Sequence, residues 1–124
     1  MEDKPYFVDE TINLETDLYL KTKLLYKEMT TTDISDIPII DFRLSEIYSL
    51  RDKLDLFLKI KFELQHYELT SLISFWDRTF QEMKEIVENG DSNKSYLVGE
   101  FENYQDEHEI VDEMLKNYSN SINK

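Results

Sequence analysis

Cysteine is absent from the chain, and glycine and proline occur only twice each. Without cysteine, disulfide bonds, thiolate metal sites and cysteine nucleophiles are excluded. With two glycines, the chain has no glycine-rich phosphate-binding motif and no nucleophile-elbow motif. No apolar run is long enough to cross a membrane, and the acidic start "MEDKPYFVDE" shows no secretory signal. We therefore expect an intracellular protein, in the cytoplasm of a host cell, that uses no cofactor.

Alanine is also absent, whereas Ile, Lys, Asn and Tyr are frequent. Since Ala, Gly and Pro need GC-rich codons, this composition indicates an AT-rich genome, as in some viruses, phages and mobile elements. The chain is 40% hydrophobic and 13% aromatic, which is too apolar for a disordered protein. Its 124 residues have the usual size of one domain, and we expect a single domain over residues 1–124.

The charge balance is strongly acidic, with 27 acids, 14 bases and a net charge of −13. This charge repels nucleic-acid phosphates and anionic lipids, so direct binding to nucleic acid or to a membrane is not expected. A basic protein partner is favoured instead. The same charge also helps a protein stay dissolved, so it does not identify a function by itself.

A first helix is predicted over residues 9–29, because two lines of apolar side chains run along it at helical spacing. One line consists of Leu14, Leu18, Leu25 and Met29, and the other of Ile12, Tyr19 and Tyr26. A helix that is apolar on two sides is usually buried on two sides. The second side is expected to contact either the rest of this chain or a second subunit.

A long helical region is predicted over residues 41–89, which contain neither glycine nor proline. Asp41 is expected to cap its start, after an extended connection that contains Pro38. The region forms either one bent helix or two helices that break near residues 66–70. Residues 56–65 alternate between apolar and polar, which is a strand pattern. The flanking helical patterns favour helix, and an α+β fold with a short strand there is the alternative.

The last helix, over residues 95–119, has the clearest pattern, with large side chains that recur at spacings of four and three. These side chains form the α4 seam: Leu97, Phe101, Tyr104, His108, Val111, Leu115 and Tyr118. Such a seam packs against another helix, either in the core or at a dimer interface. Together the segments predict an all-α fold, a small antiparallel bundle of three to five helices with a long central helical region.

A row of acids lies on the side of this helix opposite the seam, at about 120° to 180° from it. The row, which we term the acidic ridge, consists of Glu102, Asp106, Glu109 and Glu113, and the seam is flanked by Glu100, Glu107 and Asp112. Residues 95–119 hold seven acids and one base. Like charges three and four residues apart destabilise an isolated helix. The acidic ridge is therefore the candidate surface for Lys and Arg side chains of a partner.

Two near-matches to metal motifs predict no metal site and no catalytic residue. His108-Glu109-x-x-Asp112 lacks the second histidine of the zinc-protease motif H-E-x-x-H. Glu63-x-x-His66 has the spacing of a di-iron ligand pair, but the chain has no matching second pair. We expect His108 to be a core or interface histidine that pairs with Asp112. Because imidazoles ordinarily titrate at about pH 6.5, such a residue would make packing or association sensitive to pH.

In size, charge and helicity, the chain resembles small acidic helical inhibitors, namely phage or viral anti-defence proteins that mimic nucleic acid and immunity proteins that block toxins. This resemblance covers no motif and assigns no residue. Together with the acidic ridge, it leads us to expect a non-enzymatic interaction module, an inhibitor or nucleic-acid-mimicking antagonist that binds a basic, nucleic-acid-handling protein through its acidic last helix. The alternatives are a structural or assembly subunit of a helical homo-oligomer or virion, and a metal-dependent enzyme. A homodimer is expected, because the first helix is apolar on two sides and the last carries a heptad seam.

Overall fold

The computed structural model describes residues 4–31, 37–60, 67–89 and 94–122, which form four α-helices. Helix α1 spans Lys4–Thr31, α2 spans Ile37–Ile60, α3 spans Tyr67–Asn89 and α4 spans Ser95–Ile122. The described ranges contain no strand, so the all-α prediction is confirmed. The alternative strand is wrong for residues 56–60, which lie in α2, and residues 61–65 lie outside the described ranges. Among these four helices, none is both long and apolar enough to cross a membrane.

The helix starts differ most from the prediction at α1 and α2. Helix α1 begins at Lys4 instead of residue 9, and α2 begins at Ile37, so Asp41 lies inside α2 and does not cap it. The extended connection predicted at Pro38 is wrong, because Pro38 lies in the first turn of α2. A proline there loses no intrahelical hydrogen bond, since the first N–H groups of a helix have no partner within it. The predicted break near 66–70 falls just before Tyr67, where α3 starts.

The helices form a four-helix bundle in which each helix packs against the next, and α4 packs back against α1. Neighbouring helices run antiparallel. Between α1 and α4, Gln105 Nε2 donates to the Tyr19 hydroxyl (2.8 Å), and Ser119 Oγ donates to Asp9 Oδ1 (3.2 Å). Residues early in α1 thus meet residues late in α4. The pairs α1–α2 and α3–α4 form opposite halves of the bundle.

Each helix contributes a seam whose positions recur at alternating spacings of three and four. In α1 the seam consists of Val8, Thr11, Glu15, Leu18, Thr22, Leu25 and Met29. In α3 it consists of Leu69, Leu72, Trp76, Thr79, Met83 and Ile86. The α1 seam is unusual because three of its seven positions are polar and nevertheless buried. A count of its apolar side chains alone therefore underestimates how much of the α1 surface is buried.

The second apolar side of α1 packs against α4 within the same chain. The Tyr19 ring stacks on His108 (centroids 3.6 Å apart, 4° between planes). The Tyr26 ring stacks on Phe101 (3.9 Å, 9°). The second apolar side of α1 was one of two reasons to expect a homodimer, and it packs within a single chain instead.

Arg51 joins α2 to α3 through a two-pronged ion pair. Its Nε and Nη2 each lie 2.9 Å from a different carboxylate oxygen of Asp77, and the Arg51 side chain is only 19% exposed. The guanidinium occupies the α2 seam between Ile47 and Leu54, which are both buried. The planar group suits this site because it matches the geometry of a carboxylate.

Trp76 ties α3 to α1 across the centre of the bundle. Its side chain is 1% exposed, and its Nε1–H donates to Thr22 Oγ1 at 2.9 Å. The Thr22 hydroxyl is the acceptor that makes burial of the indole N–H tolerable, because a buried donor without a partner costs about 1–3 kcal/mol. Of the three polar positions in the α1 seam, Thr22 therefore serves as the hydrogen-bond acceptor for Trp76.

Replacement of Thr22 by Val should lower the free energy of unfolding by about 1–3 kcal/mol, because the shape is kept and the acceptor for the Trp76 indole is lost. Thr22→Ser keeps the hydroxyl and should cost less. Urea denaturation followed by Trp76 fluorescence measures both. Equal losses in the two variants would show that the hydrogen bond contributes nothing beyond packing.

Candidate functional site

The acidic ridge lies on the solvent side of α4. All four of its members, Glu102, Asp106, Glu109 and Glu113, are exposed. The α4 seam faces the opposite way: Leu97, Phe101, Tyr104, Val111 and Leu115 are buried, and His108 and Tyr118 are partly buried. The rotation of α4 in the bundle is thus the one that turns the acidic ridge outward.

The flanking acids lie in more crowded surroundings than the acidic ridge, and two of the three have partners on α4. Asp112 pairs with Lys116 on the next turn at 2.9 Å, and Glu100 accepts a hydrogen bond from Asn103 at 3.5 Å. Burial, and next the negative charge of Glu68 on α3, raise the pKa of Glu107. By contrast, none of the four ridge carboxylates forms an ion pair or hydrogen bond with any residue that the structure describes.

The charge of the bundle is concentrated in one half. Helix α1 holds five acids and four bases, and α2 holds four of each, so the α1–α2 half has a net charge of −1. Helix α3 holds five acids and two bases, and α4 holds seven acids and one base, so the α3–α4 half has a net charge of −9. The acidic ridge therefore lies in a negative field to which a neighbouring helix also contributes.

The negative charge of the acidic ridge also acts on a residue of α1, Tyr26. Burial, and next the charge of Glu102, raise the pKa of Tyr26. Tyr26 is held there by its stacking on Phe101, one residue before Glu102. An anionic tyrosine is disfavoured at this position, so the α1 side of the acidic ridge contributes a neutral hydroxyl.

His108 contacts Glu15 of α1, and the predicted pairing with Asp112 is wrong. His108 Nδ1 lies in hydrogen-bond contact with Glu15 Oε1. The side chains of Glu15 and His108 are 1% and 13% exposed, and the stacked Tyr19 ring covers one face of the imidazole. Asp112 is instead engaged by Lys116. This pair is enclosed in the core and is closed to a substrate.

The Glu15 carboxylate is only partly compensated. Burial raises its pKa above the ordinary value of 4.5, the hydrogen bond and charge of His108 oppose that shift, and Asp112 adds to it. Its second oxygen, Oε2, and the buried Tyr104 hydroxyl find no hydrogen-bond partner among the described residues. Burial also raises the pKa of Tyr104, with Glu15 as the next cause. The pair is a costly polar element of the interface between α1 and α4.

A search of the described residues finds no cluster of three or more His, Asp or Glu side chains that could hold a metal ion. Glu15, His108 and Asp112 are near one another, but they do not converge on one point. Glu63 and His66, the other near-match to a metal motif, lie outside the described residues. The candidate site is therefore a surface, the acidic ridge.

Comparison with known proteins adds no relative. No protein-family model matches the chain, and neither a curated protein nor a solved structure shows significant similarity to it. The function has to be argued from the residues of this chain alone.

The self-repulsion of the acidic ridge leads to a stability prediction. Asp106→Lys converts two like-charge pairs, with Glu102 and with Glu109, into opposite-charge pairs at spacings of four and three. The free energy of unfolding should rise by up to about 1 kcal/mol, since each pair contributes a few tenths. The gain should shrink as salt is added. Asp17→Lys, an equal charge change on α1 with Lys21 one turn away, should gain nothing.

The buried carboxylate leads to a pH prediction. Because the folded state raises the pKa of Glu15, the stability that this group contributes is complete below the ordinary carboxyl pKa and is lost as pH rises through the folded pKa. Glu15→Gln should therefore gain stability relative to the natural protein as pH rises from about 4 to 7. Urea denaturation across that range measures the difference.

Asp17→Asn removes one carboxylate from an exposed position of the same helix and serves as the control against which the pH dependence of Glu15→Gln is judged. A pH-independent difference for Glu15→Gln would show that Glu15 is not destabilised by ionisation in the folded protein.

Proposed function

We propose that this protein is a non-enzymatic interaction module that binds a basic, nucleic-acid-handling protein through the acidic ridge of α4 and thereby antagonises it. The observation that carries the proposal is the exposed row of four unpaired carboxylates in a half of the bundle with a net charge of −9. Such a field speeds the encounter with a positively charged surface and orients it before contact.

The acidic ridge resembles a nucleic-acid strand in presenting a regular row of like charges. With a rise of 1.5 Å per residue, its four carboxylates span about 16 Å of helix axis. That is about one charge per 5.5 Å, which is sparser than the 3.4 Å of a single strand of duplex DNA. The flanking acids Glu100, Glu107 and Asp112 lie beside the seam and do not extend this row. The acidic ridge therefore imitates the sign and the regular spacing of phosphates at a lower charge density.

The shape of this surface favours a macromolecular partner. The acidic ridge follows a straight, exposed helix, so a small cation would be held by one or two carboxylates in full contact with water. Exposed ion pairs are individually weak, at about 0.2–1 kcal/mol. Only a partner that presents several Lys or Arg side chains at once gains enough to bind the row specifically.

One alternative has an observation in its favour. A structural or assembly subunit would use exposed apolar side chains, and the α1–α2 half carries Leu20, Leu24 and Phe42 at 52%, 68% and 67% exposure. Self-association of that kind would be insensitive to changes in the acidic ridge. No group of described residues favours the metal-dependent enzyme.

The test is a pair of variants that carry the same charge in different places. The ridge variant replaces Glu102, Asp106, Glu109 and Glu113 by Lys. The control replaces four acids outside α4 by Lys, namely Asp17, Asp41, Glu85 and Glu88, which are also exposed. Each variant exchanges four acids for four bases, so both move from −13 to −5. Circular dichroism verifies that both remain helical.

Binding is measured against basic DNA- and RNA-binding domains, with a duplex DNA of 20 base pairs as competitor. The ridge variant should bind about 4- to 1000-fold more weakly than the natural protein, if four exposed ion pairs of about 0.2–1 kcal/mol are lost. The control should lose much less, and added salt should weaken the natural complex. Equal losses in the two variants would mean that net charge alone matters and that the acidic ridge has no role.

A further inference from the structure

We propose that a second copy of this chain docks on the outer face of the α1–α2 half, through the exposed apolar side chains of Leu20 and Leu24 on α1 and Phe42 on α2, which we term the patch. This assignment moves the expected dimer interface to a surface that the sequence did not single out. It is independent of the proposed binding of a basic partner, which uses the opposite half.

The two surfaces first expected to form a dimer interface are occupied within one chain. The α4 seam is buried in the bundle core, and Tyr19 and Tyr26 of α1 stack on α4. Among the described residues, nine large apolar side chains are exposed, and six of them lie in the α1–α2 half. Leu20 and Leu24 are one helical turn apart and therefore lie on the same face of α1. They account for two of those six.

A groove between α1 and α2 adjoins the patch at Leu24. Leu24, Leu25 and Ile47 line its apolar part, and its rim carries Lys21, Glu28, Arg43 and Glu46. The rim thus holds two bases and two acids, and Glu28 and Arg43 already pair with each other. Because its charges balance, this rim does not repel a second copy of itself, and a two-fold dimer pairs the same surface of both chains.

Charge decides which face a second copy uses. Two chains of net charge −13 repel each other least through the half whose net charge is −1. With helix layers about 10 Å apart, docking through α1–α2 keeps the two α3–α4 layers about 30 Å apart. That separation exceeds the Debye length of about 8 Å at physiological salt, so the repulsion between them is screened. Docking through α3–α4 would bring two layers of −9 into contact.

The size of the face is sufficient. The shorter of the two helices, α2, has 24 residues, which corresponds to a length of about 36 Å. Two helices side by side are about 20 Å wide, so the face covers roughly 700 Å². A stable interface of standard size buries about 800 Å² per partner. The face therefore provides about the area that a specific dimer needs.

A dimer of this geometry has its acidic layers on the two outer sides. It would present two acidic ridges that point away from each other, available to two basic partners or to two sites of one large partner. Such a bivalent arrangement raises the overall affinity for a partner with two matching sites without any new contact.

The experiment is sedimentation equilibrium on the purified natural chain and two matched variants, with no basic partner present. Leu24→Glu puts a charge into the patch, where Leu24 is 68% exposed. Ile110→Glu makes a comparable change on α4, at a side chain that is 53% exposed. Since both positions are exposed, both variants should keep the helical circular dichroism of the natural chain. Phe42→Glu is a second test of the patch.

The natural chain should be a dimer, and Leu24→Glu and Phe42→Glu should raise the dissociation constant at least about 100-fold, whereas Ile110→Glu should change it less than about threefold. A natural chain that stays monomeric at every concentration reached overturns the proposal. A dimer that Ile110→Glu disrupts and Leu24→Glu leaves intact overturns it as well. Because these measurements contain no basic partner, either outcome leaves the proposed function to its own test.

Discussion

Burial of polar side chains in the α1 seam is the constraint on which the rest of this structure depends. Glu15 and Thr22 are each 1% exposed, and each needs a partner from another helix. His108 of α4 contacts Glu15, and Trp76 of α3 donates to Thr22. Purely apolar seams tolerate a slip by one heptad, whereas a buried polar group specifies one register, because every other register leaves it unpaired. We infer that these contacts fix how α3 and α4 sit on α1.

The surface chemistry follows from that register. Once His108 faces Glu15, and Tyr19 stacks on the imidazole, α4 can rotate no further without exposing its seam. Helix geometry then dictates that Glu102, Asp106, Glu109 and Glu113 face solvent. His108 and the acidic ridge thus lie on opposite sides of α4. Residues 106–113, "DEHEIVDE", supply side chains to both sides. The two residues that resemble a zinc motif lie on different sides of α4. The His108 side chain packs against α1, whereas Glu109 faces solvent.

What could be predicted from the sequence depended on how apolar each seam is. Helix α4 was identified because its seam is apolar almost throughout, and the outward direction of the acidic ridge followed from helical periodicity. For residues 41–89 the pattern left open one bent helix or two. In α1 the sequence indicated Leu18, Leu25 and Met29 but missed the polar seam positions Thr11, Glu15 and Thr22, although their spacing continues that of Val8 and Leu18. The partner of His108 could not be found from local pattern, since Glu15 is 93 residues away. The α1–α2 patch could not be found either, because exposure of Leu24 depends on how α1 and α2 pack.

The uneven distribution of charge bears on why the protein is acidic. If acidity served only to keep the chain dissolved, nothing would favour one half of the bundle over the other, and mixed charges on every helix would be cheaper for helix stability. Instead, α1 and α2 balance their charges almost completely, while α4 accepts repulsion along its own length. Selection for solubility alone does not account for a cost that is confined to one surface. A separation into a near-neutral apolar face and a strongly anionic face fits a protein that meets two different kinds of surface, its own copy on one side and a basic partner on the other.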